Sequence, residues 1–306
     1  MWRHWWRRRS RSTKAAAAAL AVGAALLVAP ATPAGIRDAC TGRAGHPHTY
    51  AHVVVIVMEN HSIGQVVGAP GARYITRAAN LCGLATRYHA ITHPSLPNYL
   101  ALTSGSTAGI TTDCNACRSG GPNIFRQVAR AGMRWRAFAE SMPGRCARYD
   151  AGRYLMRHNP AVYYTRLRAT CRAADLPMGT PAAGRLARAL RRNTLPAYMF
   201  LTPDACHDMH DCPVSSGDAW LHAWLPRILA TRSYRAGHTV VFLTFDEGSG
   251  SNHVATLVIS PFVAPGTRAA HRYTHYSLLR TAESLLGLRH LGQARAAAGM
   301  RRGFGI

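Results

Sequence analysis

Residues 53–62 read Val-Val-Val-Ile-Val-Met-Glu-Asn-His-Ser, an apolar run that leads directly into a glutamate and an asparagine. A short apolar run rich in β-branched residues is typical of a strand that is buried on both faces of a sheet. Three further runs of this kind lie at residues 197–201, 239–245 and 255–259. We therefore predict an α/β fold, in which these strands form the interior of a mostly parallel central sheet flanked by helices on both faces.

Acidic residues follow three of these predicted strands. Glu59 and Asn60 follow the first, Asp204 comes shortly after the second, and Asp246 and Glu247 follow the third. The carboxyl ends of parallel strands meet at one edge of a sheet, and chance rarely delivers three acidic segments there when the chain has only 13 Asp and Glu residues. Carboxylate and amide oxygens are ligands for Ca²⁺, Mg²⁺ or Mn²⁺, and with histidine for Zn²⁺ or Fe. The pattern predicts a divalent metal site, although any one of these acids could instead cap a following helix.

A serine stands between two prolines in residues 92–99, which read Thr-His-Pro-Ser-Leu-Pro-Asn-Tyr. The prolines restrict the backbone on either side of Ser95, just before a predicted helix at 98–103. The N-terminus of a helix favours both an alkoxide and a phosphate. Ser95 is therefore a candidate nucleophile, although the local pattern also fits a turn or N-cap serine.

Histidines and acids cluster in the segment after the second predicted strand. Five ionisable residues lie between two cysteines or just before them: Asp204, His207, Asp208, His210 and Asp211. Two more histidines, His158 and His253, stand beside turn residues where loops would overhang the sheet edge. Imidazole can carry protons near neutral pH, whereas a lone histidine of this kind is more often structural.

The N-terminal 34 residues have the features of an export signal. Basic residues come first, an apolar run follows at 15–28, and small residues surround positions 29–34. The run is shorter than the roughly 20 residues that a membrane-spanning helix needs. We predict a signal peptide at 1–34, a single catalytic domain at 35–306, and no stable membrane span after cleavage. The predicted product is a secreted, extracytoplasmic bacterial protein.

All eight cysteines lie in residues 35–306. An even number in an exported chain predicts disulfides, and Cys206 and Cys212 bracket a segment short enough to be stapled. A zinc-thiolate site built on Cys114 and Cys117 would need a second pair of matching spacing, and the chain offers none.

The formal net charge is +24, and every basic residue after Lys14 is arginine. The chain is also rich in alanine, so part of this charge reflects GC-rich codons. Arginine is nowhere interleaved with aromatic residues as in nucleic-acid modules, so no dedicated nucleic-acid binding is expected. A cationic surface would still concentrate anionic substrates.

Taken in order, these segments resemble the bacterial phosphoesterase family that contains secreted acid phosphatases and phospholipases C, within the alkaline-phosphatase superfamily. The resemblance extends from about His52 to the C-terminus and rests on motifs at residues 55–62, 94–99, 208–211, 216–220, 245–248 and 276–281.

The resemblance implies an alkaline-phosphatase-like fold and hydrolysis of phosphoric esters. It implies a divalent metal ion held by Glu59, Asn60, Asp246, Glu247 and Ser95, with Ser95 also the nucleophile that forms a phosphoseryl intermediate. His210 or His158 would protonate the leaving alcohol. A second site or substrate contacts would involve Asp204, His207, Asp208, Asp211 and His253.

Two residues depart from the family pattern, because members often carry asparagine at the position of His207 and arginine at that of His61. The chain also lacks the extra C-terminal domains of the larger phospholipases C, which favours a phosphomonoester over a phosphodiester substrate. A phospholipase C-type phosphodiesterase and a non-catalytic, cationic polyanion-binding protein stay open as alternatives. A metal-independent serine esterase is disfavoured because no Gly-x-Ser-x-Gly motif occurs. Oligomeric state is not predicted.

Overall fold

The computed structural model describes residues 35–306, so the predicted signal peptide at 1–34 lies outside the described residues. The strands are β1 His52–Met58, β2 Gly83–Ala85, β3 Tyr88–His89, β4 Trp135–Ala139, β5 Asp175–Pro177, β6 Tyr198–Thr202, β7 Thr239–Phe245, β8 Thr256–Ile259, β9 Arg268–Ala269 and β10 Tyr273–Thr274. The α-helices are α1 Ile63–Val66, α2 Arg73–Leu81, α3 Ser95–Ser104, α4 Ile124–Arg130, α5 Arg168–Ala174, α6 Arg185–Arg192, α7 Val214–Leu229, α8 Arg232–Arg235, α9 His275–Leu285 and α10 Arg301–Phe304. Short 3-10 helices lie at Ile36–Asp38, Met156–His158, Pro160–Tyr163, Thr165–Leu167 and Gly292–Arg295.

Eight strands form one sheet in the order β5-β4-β6-β1-β7-β8-β2-β9, and β10 pairs with β3 separately. All neighbours in the large sheet are parallel except β8, which is antiparallel to both β7 and β2. The prediction of a mostly parallel sheet is confirmed. The prediction that 255–259 belongs to the parallel set is wrong in direction, because residues 246–255 are too few for the crossover that a parallel return requires.

Both faces of the sheet are covered. Every residue of β7 is buried, as is every residue of β1 except His52, and successive side chains of a strand point to opposite faces. The helices pack in two groups: α3 lies against α9 and α4, whereas α7 lies against α2 and α6. This arrangement confirms the prediction of helices on both faces.

Helix α3 begins at Ser95, three residues earlier than predicted. Pro97 falls in the first turn, where proline is tolerated because the N–H it lacks would have no partner within the helix. Ser95 is consequently the first residue of the helix and lies directly above the edge of the sheet that carries the acids.

Four disulfides pair all eight cysteines: Cys40 with Cys82, Cys114 with Cys117, Cys146 with Cys171, and Cys206 with Cys212. The predicted staple across residues 206–212 is confirmed. Among residues 35–306, no helix combines the length and apolar character that crossing a membrane requires.

Candidate active site

The register of two neighbouring strands places the first two acids side by side. Met58 of β1 pairs with Phe245 of β7, so Glu59 and Asp246 leave the sheet together, and both are fully buried. The backbone amide of Asn60 donates to Oδ1 of Asp246 at 3.1 Å. Asn60 has a φ of 57°, a left-handed conformation that asparagine adopts more readily than most residues.

Ser95 contacts this pair of acids. Its hydroxyl is buried and donates to Oε2 of Glu59 at 3.0 Å. One helical turn further along α3, the hydroxyl of Tyr99 donates to the other oxygen, Oε1 of Glu59. The carboxylate is thereby fixed between the candidate nucleophile and a buried phenol.

Asn98 shapes the turn before Ser95. Its Oδ1 accepts hydrogen bonds from the amides of Ile91 and Thr92, at 3.0 and 3.1 Å. Its Nδ2 donates to Oε2 of Glu247 at 3.3 Å. The same oxygen of Glu247 lies 3.1 Å from Nδ1 of His93, so Glu247 is tied to the nucleophile turn.

His158 approaches the same oxygen of Glu59 that accepts the hydroxyl of Ser95. Its Nδ1 is 2.9 Å from Oδ2 of Asp208, and its Nε2 is 3.4 Å from Oε2 of Glu59. Its ring stacks on Tyr99 with centroids 5.5 Å apart. Burial lowers the pKa of His158 to about 3, so the ring is neutral near pH 7.

His210 is more accessible than His158, with a quarter of its side chain exposed. Its Nδ1 lies 2.6 Å from Oδ1 of Asp211, and its Nε2 lies 3.2 Å from Nη2 of Arg157. The rings of His158 and His210 are 5.7 Å apart. The two histidines predicted to act in catalysis are therefore neighbours.

The other predicted residues divide between two places away from Ser95. Asp204 and His207 join Glu140, with His207 Nδ1 2.9 Å from Glu140 Oε2 and 3.5 Å from Asp204 Oδ1. Asp204 Oδ1 also accepts the amides of Cys206 and His207 in a turn, and no helix follows there for it to cap. His253 points elsewhere, with Nε2 2.9 Å from the carbonyl oxygen of Thr86. Asp204 and His207, which the sequence assigned to a second site or to substrate contacts, form with Glu140 a group whose ligand atoms lie within 4.8 Å of one another and could hold a metal ion. His253 does not belong to this group.

The electrostatics of the cluster around Ser95 favour a bound cation. Burial raises the pKa of Glu59, and the nearby charges of Asp246 and Asp208 raise it further. Burial likewise raises the pKa of Asp246, and it raises the pKa of Glu247 to about 8. Carboxylates crowded together without a counter-ion are costly to ionise, and a dication would remove that cost.

Three buried polar atoms in the same cluster have no hydrogen-bond partner among residues 35–306: Asn60 Oδ1, Asp246 Oδ2 and His158 Nε2. Buried polar atoms are rarely left unpaired, so each is available to a ligand. Oxygen and imidazole nitrogen are donors that divalent metals accept. The residues present therefore fit a divalent metal ion.

Five residues of this region received no role from their sequence pattern: Asn98, Tyr99, Asp113, Glu140 and Arg157. Asn98 and Tyr99 lie three and four residues after Ser95, a spacing that places them on the same helix face as Ser95 and could have revealed them. Glu140 follows β4, so recognising that strand would have found it. For Asp113, whose Oδ1 accepts the amide of Leu96 at 2.8 Å, the sequence offers no signal.

A cavity of about 680 Å³ lies elsewhere and is lined partly by Arg37, Arg73 and Arg77. No carboxylate or histidine lines it. The cluster around Ser95 is therefore the better candidate for chemistry.

Comparison with known proteins also indicates a phosphoesterase. The Phosphoesterase family matches residues 69–289. A phosphatidylinositol-3-phosphatase of Mycobacterium tuberculosis is 33% identical over 257 residues, which cover 81% of this chain and 81% of that protein. An acid phosphatase of Aspergillus fumigatus is 29% identical over 69% of this chain, which spans about half (49%) of the fungal protein.

A solved structure supports the fold. A protein of the alkaline phosphatase superfamily from Vibrio parahaemolyticus superposes with a TM-score of 0.56 at 12% identity, covering 82% of this chain and 69% of that one. The mostly parallel sheet, the residues gathered at its edge and the family match agree. The chain belongs to the Phosphoesterase family and is a hydrolase of phosphoric esters.

Proposed function

We propose that this protein is a secreted, metal-dependent phosphomonoesterase that works through a phosphoseryl intermediate on Ser95. One observation carries the proposal: the buried hydroxyl of Ser95 is bonded to Glu59 in a cluster whose acceptor atoms on Asn60 and Asp246 have no partner. A nucleophile among oxygens that suit a dication is the arrangement that phosphoryl transfer requires.

The metal ion would be held by Glu59, Asn60, Asp246 and Glu247 together with Ser95. When bound, it lowers the pKa of the serine hydroxyl and offsets the negative charge of the attacked phosphoryl group. Its identity is left to experiment.

The protein's own residues then carry the reaction in two steps. Ser95 Oγ, having released its proton to solvent, attacks phosphorus; the Oγ–P bond forms and the bond to the leaving oxygen breaks. In the structure Nε2 of His210 accepts a hydrogen bond from Nη2 of Arg157. With substrate bound, we propose that Nε2 exchanges this contact for the leaving oxygen and, once protonated, gives its proton to the leaving alkoxide. In the second step water gives a proton to His210 Nε2 and its oxygen attacks the phosphoserine, which releases inorganic phosphate and restores Ser95.

His210 suits this proton transfer better than His158. The ring of His210 is partly exposed and held by Asp211, so a leaving group can reach it. His158 is buried, with Nδ1 committed to Asp208 and Nε2 directed at Glu59. We therefore give His158 a positioning role beside the metal site and His210 the role of general acid and base.

The relatives favour a monoester substrate. Those named above are a phosphatidylinositol-3-phosphatase and an acid phosphatase, and both names denote removal of a terminal phosphate. A phosphodiester of the phospholipase C type stays as an outcome of the test below.

Secretion is supported by the disulfides, since four of them in residues 35–306 are typical of an oxidising compartment. We propose residues 35–306 as the mature catalytic domain.

The experiment compares hydrolysis of p-nitrophenyl phosphate and p-nitrophenyl phosphorylcholine by the oxidised protein, with EDTA and after metal add-back. We expect chelator-sensitive turnover that is faster on the monoester. Ser95→Ala should abolish turnover in a folded protein, whereas Ser106→Ala, at an exposed serine in the loop after α3, should not.

Several results would contradict the proposal. Turnover that is unaffected by EDTA would show that the reaction does not need the metal, and full activity of folded Ser95→Ala would show that Ser95 is not the nucleophile. Faster hydrolysis of the diester would show that the activity is that of a phospholipase C and not that of a phosphatase. No turnover with any divalent metal would favour the non-catalytic polyanion binder.

A further inference from the structure

We propose that Arg157 binds the phosphoryl oxygens of the substrate beside Ser95 and that Asp113 holds it in position. This inference rests on the proposed function, because it names the group that recognises the phosphate in that site. Arg157 lies in the 3-10 helix Met156–His158. Its side chain is one-fifth exposed, so it can reach a ligand that enters from solvent.

Asp113 connects Arg157 to the nucleophile helix. Oδ2 of Asp113 lies 3.4 Å from Nε of Arg157. The other oxygen, Oδ1, accepts the amide of Leu96, the residue after Ser95, at 2.8 Å. One carboxylate therefore fixes the distance between the guanidinium and the start of α3.

A second set of contacts returns from Arg157 to Ser95. Nη2 of Arg157 lies 3.2 Å from Nε2 of His210, whose ring faces His158. His158 approaches Glu59, which accepts the hydroxyl of Ser95. Together with the contacts through Asp113, these contacts connect Arg157 to Ser95 by two separate routes.

The guanidinium keeps unused donors. Nε of Arg157 is buried and has no hydrogen-bond acceptor among residues 35–306, since its approach to Asp113 lacks hydrogen-bond geometry. A buried N–H without an acceptor is costly, and a ligand oxygen would remove that cost. The planar guanidinium presents several N–H groups in a fork that matches two oxygens of a phosphoryl group.

Arg157 is also distinguished by its ion pair. Of the ion pairs among residues 35–306, the pair with Asp113 is the one that joins an arginine to a carboxylate; the others involve histidine. The carboxylates of Glu59, Asp246 and Glu247 would repel a phosphate dianion. The fixed positive charge of Arg157, linked to the start of α3 through Asp113, would attract it.

The test compares Arg157→Ala and Arg157→Lys with Arg153→Ala, which removes an exposed arginine four residues away. Arg157→Ala should lower kcat/KM on p-nitrophenyl phosphate by roughly 10²–10³-fold, the usual effect of losing one donor to a developing oxyanion. Its inhibition constant for inorganic phosphate should rise at least tenfold. Added guanidinium should restore part of the activity of Arg157→Ala and none of that of Ser95→Ala.

Asp113→Asn tests the positioning role. It should weaken phosphate inhibition less than Arg157→Ala does, and the double variant should bind phosphate no worse than Arg157→Ala alone. If Arg157 and Asp113 have only a structural role, their substitution should lower Tm and leave the inhibition constant for phosphate unchanged. If Arg157→Ala does not fold, Arg157→Lys provides the test. This variant keeps the positive charge but loses the forked N–H groups of the guanidinium, so it should still weaken phosphate binding.

Failure of this inference can be distinguished from failure of the proposed function. A folded Arg157→Ala with wild-type inhibition by phosphate and no response to guanidinium overturns this inference while leaving Ser95 in place. If the wild type does not hydrolyse phosphomonoesters, the proposed function fails, and calorimetric titration of inorganic phosphate still tests Arg157.

Discussion

The backbone amide of Asn60 donates to Oδ1 of Asp246, while Oδ1 of Asn60 and Oδ2 of Asp246 have no hydrogen-bond partner in the described part of the chain. One hydrogen bond thus holds two residues so that each keeps a buried oxygen free. An oxygen pair of this kind is costly in the empty site and favourable when a cation is bound.

Asp246→Asn should separate these two effects. Without metal, the variant should have a higher Tm than the wild type, because it removes a buried carboxylate whose pKa is raised by burial. With added metal, the wild type should gain Tm and the variant should gain little, because ligands that bind only the folded state stabilise it. Scanning calorimetry with EDTA and with metal measures both. Equal metal-induced increases in the Tm of the two proteins would show that Asp246 does not bind the metal.

His210→Ala should discriminate between leaving groups. Loss of a general acid typically costs about 10²–10⁴-fold, but p-nitrophenolate leaves without a proton. We therefore expect a much larger fall in kcat for glycerol phosphate than for p-nitrophenyl phosphate. His222→Ala, at an exposed histidine of α7, serves as the control. An equal fall on both substrates would contradict the role of His210 in proton transfer.

Tyr99→Phe should lower the stability of the protein, because it removes the hydrogen bond from Tyr99 to Glu59. The variant keeps the ring that stacks on His158 and leaves Oε1 of Glu59 without its phenol partner. Leaving a buried group unpaired should lower the free energy of unfolding by about 1–3 kcal/mol. Tyr163→Phe is the matched control, because the hydroxyl of Tyr163 is buried and has no partner among residues 35–306. Urea denaturation should show a loss for the first variant only.

Asp175 should make stability depend on pH. This carboxyl is buried and accepts two hydrogen bonds from Asn159, and burial raises its pKa to about 7. The folded state therefore holds a proton that the unfolded chain releases near pH 4, so the stabilisation is complete below about pH 4 and is lost as pH rises through about 7. Asp175→Asn should flatten this slope, whereas Asp38→Asn, at an exposed position, should keep it. Urea midpoints at about pH 5 and about pH 8 measure the difference; parallel curves for wild type and Asp175→Asn would contradict the assignment.

Strand register explains which part of the site could be predicted. Glu59 and Asp246 follow neighbouring strands that pair up to their last residues, so the end of each apolar run located them correctly. Asp204 follows a strand of the same sheet but turns toward Glu140, because β6 also pairs with β4 at Ala139 and Thr202. The end of a strand identifies the edge of the sheet, and it does not identify which neighbour a side chain will face.

Other features depend on contacts that no local pattern records. Arg136 is the second of the five residues of β4, where it interrupts the apolar run and hides the strand, and with it Glu140. Asp113 lies in the segment between α3 and α4, which has no hydrophobic periodicity. Its position beside Arg157 and Leu96 arises only when that segment closes over the start of the helix.

The disulfide between Cys206 and Cys212 links the chemistry of the site to the redox state of its surroundings. The segment that it closes carries Asp208, His210 and Asp211, while the sheet beneath is held by its own hydrogen bonds and apolar packing. Where thiols stay reduced, this segment would lose its covalent closure, and with it one constraint that holds Asp208 and His210 beside His158. If the chain is exported, as we propose, closure of the disulfide and completion of the site would take place in the same oxidising compartment.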